Sequence, residues 1–161
     1  MSPRDLYFAT YHQAAHVVAA LVLGCRIEYV EIATPASKVG WNLDSASIAD
    51  TETVCGAGFE MEQILGRLYD SSWSRSEDDR VLLGTIHADR TGLSLTAPEI
   101  DARFTAGAAS SRAILEHAGA RHAIDELAEH LNDAYLRDER RVEAADMRAI
   151  TAQITGAVAK P

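Results

Sequence analysis

Cysteine is scarce in this chain: Cys25 and Cys55 are the only two among 161 residues, and no Cys-x-x-Cys spacing occurs. That excludes a disulfide framework and a thiolate zinc site, and it leads us to expect a reducing, cytoplasmic compartment. Basic residues are also few, with 15 Lys and Arg against 24 Asp and Glu and a net charge of −9. Binding nucleic acid needs clustered cations to neutralise phosphates, so that class is set aside. Long apolar runs are missing too. The longest, Ala14 to Gly24, is interrupted by His16 and falls short of the ~20 residues of a membrane span. The opening Met-Ser-Pro-Arg leads straight into an amphipathic pattern rather than a basic-then-apolar leader, so no export is expected. There is no internal repeat and no low-complexity linker.

What is present is a 47% hydrophobic chain of a length that suits a single domain over residues 1–161. Ser2 and Pro3 open a first helix, Val17, Val18, Leu21 and Val22 give it a buried stripe, and Gly24 closes it. Two strands follow, Cys25 to Ala33 and Lys38 to Asp44. The second shows clean alternation of Val39, Trp41 and Leu43 with polar or small residues. A short third strand is expected around Ser47 to Ala49. Helical spacing then runs from Thr51 to Tyr69, opens again after Ser74 and Ser76 at capping-box spacing, and again at Thr96, Pro98 and Glu99. The remainder reads as helix with breaks near Gly119 and Asp138, and Val142, Ile150 and Ile154 face inward. The fold class is therefore α+β, predominantly helical, with a small antiparallel sheet beside the first helix.

The segment Tyr11-His12-Gln13-Ala14-Ala15-His16 puts two imidazoles one turn apart on one helix face. Two readings are open, a pair of core histidines or two ligands of one metal ion. An otherwise apolar helix has little reason to present two basic rings unless something satisfies them, which favours the metal. Catalytic zinc takes three protein ligands and keeps a fourth position for water, so a third ligand is required. In the familiar His-Glu-x-x-His motif the Glu accepts a proton from the attacking water. Here that position is Gln13. An amide cannot accept the proton, so turnover is expected to fall by about 10² to 10⁴ while metal binding survives. His87, His117, His122 and His130 show no ligand spacing.

The stretch Ala9 to Ile32, ATYHQAAHVVAALVLGCRIEYVEI, resembles the zinc-binding helix and following strand of the peptidase domain of FtsH-type ATP-dependent proteases. Gly56 to Gly66, GAGFEMEQILG, is similar to that family's second helix, and Ser76-Glu77-Asp78-Asp79 to its Ser-Asn-Asp segment. The tail around Ala123 to Leu131 is similar to its C-terminal helices. The resemblance implies a zinc metallopeptidase in which His12, His16 and Asp78 hold Zn2+, with Asp79 the ligand if the register is shifted by one. It puts Gln13 at the general-base position, and Glu62 fits as a group orienting a ligand imidazole. The strand bearing Val39, Gly40 and Trp41 is implied to hold the substrate backbone. No Gly-x-x-x-x-Gly-Lys loop is present in this sequence, so the family's motor is not expected, and any peptidase activity is expected to be ATP-independent or to rely on a separate partner. The implied partners are a peptide or unfolded protein substrate and either further copies of the chain or a separate protein. A natural pseudopeptidase that binds peptides without cutting them is the alternative, and a metal-free helical interaction module is a third reading.

Overall fold

The computed structural model describes residues 1–33 and 37–154. Its first helix, α1 (Pro3–Val22), starts where Ser2 accepts a hydrogen bond from the Asp5 amide at 3.1 Å, with Pro3 supplying a helical φ in the first turn. Six apolar residues in its middle, Ala14, Ala15, Val17, Val18, Ala19 and Ala20, are fully buried, so α1 is the central rod of the fold. β1 (Arg26–Glu31) and β2 (Lys38–Asn42) pair antiparallel, with an irregularity between Ile27 and Tyr29.

The third strand is not at Ser47 to Ala49. Ser47 instead caps α2 (Ile48–Ile64) in a reciprocal capping box with Asp50, and a residue committed to that geometry cannot extend a sheet. The third strand is β3 (Arg141–Glu143), antiparallel to β1 on the side away from β2, giving the order β2-β1-β3. The helical tail breaks near Gly119 and at Asp138 as its pattern predicts, but the residues just past the second break form this strand rather than helix. Asp138 takes φ 67, ending the preceding helix, and Val142 then buries itself opposite Val30.

The helix expected over Thr51 to Tyr69 begins earlier and stops at Ile64. Gly66 adopts φ 78, and the returning chain donates Arg67 N–H to the Glu62 carbonyl at 2.9 Å, a glycine-closed helix end. A short helix, α3 (Tyr69–Arg75), leads into α4 (Glu77–Thr91). α5 (Ala97–Leu115) opens with a capping box between Thr96 and Glu99, as its spacing predicts. α6 (Ala118–Leu136) starts at His117, whose Nδ1 accepts from the Gly119 amide, and α7 (Arg148–Thr151) follows β3.

α1 lies between α2, α6 and the sheet, and its core side chains join Met61, Leu115, Ile124, Leu127 and Leu131 in one apolar cluster. α2 and α5 approach so closely that a Cβ on Gly56 would overlap the Ala108 backbone, and one on Gly107 would overlap the Glu52 carbonyl. The architecture is α+β, predominantly helical, with a three-stranded antiparallel sheet. No described helix is long and apolar enough to cross a membrane.

Candidate metal centre

His12 and His16 sit on consecutive turns of α1 at 4% and 1% exposure, with ring centroids 4.7 Å apart. Each ring is fixed by its outer nitrogen. His12 Nδ1 lies 3.0 Å from Glu62 Oε1, and His16 Nδ1 lies 2.7 Å from the Val54 carbonyl. A carbonyl and a carboxylate only accept, so both Nδ1 atoms carry hydrogen and both Nε2 atoms turn toward the same space. The two Nε2 atoms are 3.0 Å apart, close to the ~3.3 Å separation of two nitrogens on tetrahedral zinc.

The third member is Asp79, with Oδ2 3.1 Å from His12 Nε2 and Oδ1 3.5 Å from His16 Nε2. Ligand atoms of His12, His16 and Asp79 lie within 4.8 Å of one another, a group that could hold a metal ion. Asp78, the residue first assigned by the resemblance, does not join them. Its side chain is exposed and lines the cleft beside Gln13. The reason is helical phase: Asp79, Leu83 and His87 are spaced by four, and Leu83 and His87 are the two buried residues of α4. The apolar residues of the sequence, Leu82, Leu83 and Ile86, leave Asp78 and Asp79 both in phase, so it is the burial of Leu83 and His87 that selects Asp79.

The space between the two Nε2 atoms is shaped by a missing side chain. Gly58 faces them from α2, and a Cβ there would overlap both imidazoles. The arrangement therefore fits a small cation on three grounds: two lone-pair donors facing each other, a carboxylate completing the set, and a glycine keeping the approach open. Electrostatics agree. Burial by itself would lower the His12 pKa, but hydrogen bonds and charge from Asp79 and Glu62 raise it to about 9. Burial opposes ionisation of Asp79, yet the charge of His16 and the hydrogen bonds from both histidines hold its carboxyl well below the usual carboxylate range. A cation at this place would compete with the proton that these contacts favour on His12.

Gln13 is 5% exposed, and its Oε1 is buried without a hydrogen-bond partner among the described residues. It lines two adjoining cavities of about 250 and 260 Å³ that share Gln13, Ser37, Asp78 and Asp79. One arm runs past Arg75 and Glu77, the other between Leu82 of α4 and Val39 and Trp41 of β2. Trp41 also packs edge-on against His16, with centroids 5.3 Å apart. Of the three strand residues implied to hold substrate, Val39 and Trp41 line the groove. Gly40 does not: it faces the Tyr29 ring on the neighbouring strand. Among the described residues β2 is an edge strand, with no strand paired to its outer rim.

Glu62 is fully buried, with its Oε1 3.0 Å from His12 Nδ1. Sequence reasoning did not find Arg67 and Arg75, which flank Glu62, nor the Val54 carbonyl and Gly58. All four act through contacts made by tertiary packing, and neither their type nor their spacing marks them. No protein-family model matches this sequence, and no curated protein matches it.

Proposed function

We propose that this chain is a zinc-binding domain of the metallopeptidase type, similar to FtsH-type peptidase domains, with hydrolysis abolished or strongly weakened by Gln13. The observation that carries the reading is the convergence of His12, His16 and Asp79 at the floor of a groove walled by an edge strand. A His-His-carboxylate set is the donor chemistry of catalytic zinc, and such an ion supplies a Lewis acid that polarises a peptide carbonyl and acidifies water. The chain's own residues do the rest. Glu62 and Val54 hold the imidazoles in the tautomer that offers Nε2, and Asp79 contributes negative charge from α4. Val39 and Trp41 give the groove an apolar wall against which an extended peptide can lie along β2. Gln13 lines the groove, but its amide cannot take up a proton.

The second reading, a natural pseudopeptidase that holds a peptide segment without cleaving it, is favoured by Gln13 itself. One experiment addresses both. Zinc per chain is measured for the purified protein and for Asp79→Asn and Asp78→Asn, and Gln13→Glu is assayed on an unfolded protein substrate. The expected result is about one zinc per chain, lost in Asp79→Asn and kept in Asp78→Asn, with cleavage rising by about 10² or more in Gln13→Glu. Zinc retained with no gain of cleavage leaves the pseudopeptidase. No zinc in the purified or zinc-loaded protein overturns both readings and leaves a metal-free interaction module.

A further inference from the structure

We infer that Arg67 is a positioning residue of the metal centre: it fixes the buried Glu62 carboxylate, which in turn aims His12. The inference rests on the metal-centre reading above and names a residue that lies outside the ligand set. Glu62 has no exposure to solvent and divides its two oxygens between different jobs. Oε1 takes the His12 Nδ1 hydrogen at 3.0 Å, and Oε2, which accepts no hydrogen bond among the described residues, is paired by charge with Arg67 Nε at 3.3 Å. Rotating this buried carboxylate would carry Oε2 away from the Arg67 charge and Oε1 away from the imidazole.

The local fold delivers Arg67 to this place. Gly66 turns the chain at the end of α2, and the Arg67 amide hydrogen-bonds to the backbone carbonyl of Glu62 itself. Its side chain then runs back along the helix end, with the guanidinium stacked 4.6 Å from the Phe8 ring of α1 and Nη2 3.8 Å from Asp5. Arg75 approaches Glu62 Oε1 only to 3.9 Å and is more exposed, so it is the outer and weaker partner. An imidazole that ligates a metal is neutral, so the counter-charge for Glu62 must come from elsewhere, and Arg67 is the nearest cation.

The test uses the whole chain with Co2+ as probe, its affinity measured by chelator competition and its ligand-field absorption recorded. Arg67→Met is compared with Arg67→Lys and Arg75→Met, and melting temperature is followed in chelator. Arg67→Met is expected to weaken Co2+ binding by about 10- to 100-fold and alter the absorption, with Arg67→Lys recovering part of the affinity and Arg75→Met losing less. In metal-free protein the downfield His12 Nδ1 proton resonance is read as well, since it reports the Glu62 contact whether or not a metal binds. Its loss in Arg67→Met supports the inference. Unchanged Co2+ affinity and an unchanged His12 resonance in a folded Arg67→Met protein overturn it, whatever happens to the melting temperature. Failure of the wild-type chain to bind Co2+ or zinc counts against the metal-centre reading, and the His12 resonance then decides the role of Arg67 alone.

Discussion

At Gly58 a single methyl group would land on the Nε2 atoms of both His12 and His16. Gly58→Ala is therefore expected to lower metal affinity at least tenfold by pushing the rings apart, and to cost about 1–3 kcal/mol of stability through overpacking. Titration with Co2+ beside a denaturant melt checks this, and unchanged affinity contradicts it. The residue scale is also where sequence and structure agree unevenly. His12 and His16 were legible because four-residue spacing on a helix is a geometric statement by itself. The choice between Asp78 and Asp79 was not, because Leu82 follows the one by four positions as Leu83 follows the other, and only burial separates them. Gly58, Val54 and Arg67 were not, because a glycine, a backbone carbonyl and an exposed-looking cation acquire meaning only when α2 is docked on α1.

Among the elements, α2 carries the arrangement on two of its faces, Gly56 turned to α5 and Gly58 turned to the histidines of α1. The α2–α5 contact needs small residues on both sides, which makes Gly107→Ala a packing test without a chemical component. Its Cβ would meet the Glu52 carbonyl, so stability is expected to drop by about 1–3 kcal/mol while zinc per folded chain stays unchanged. A urea unfolding midpoint equal to that of the parent chain counts against so tight a contact. Helix positions were read well where caps are local, as at Ser2 and Thr96. Ser47 misled because a capping residue in extended backbone resembles a strand start. β3 escaped notice because three residues carry no periodicity, and its existence depends on Val142 meeting Val30 more than a hundred positions earlier.

For the molecule as a whole, the charged contacts at the centre couple folding to pH. With its folded pKa raised from 6.5 to about 9, His12 contributes stability that is fully present below pH 6.5 and lost as pH climbs through 9. Asp79, whose pKa is depressed, contributes stability that is present above about 3.8 and lost as pH falls below it. Chelator-treated protein is thus expected to melt highest between about pH 4 and 6.5 and lower at pH 9. Metal affinity should run the other way, rising with pH until the His12 proton no longer competes. Thermal melts at pH 6 and pH 9, with chelator and with zinc, test both trends, and a chelator melt indifferent to pH refutes the coupling.

His12 and Asp79 are 67 positions apart, and α4 buries only Leu83 and His87. On the metal-centre reading, an ion shared between them would act as a removable cross-link across a long loop, clamping a helix that has little apolar surface of its own to hold it. The docking of α4 would then be a function of the concentration of free metal. Each tenfold increase above the dissociation constant adds about 1.4 kcal/mol to the folded state.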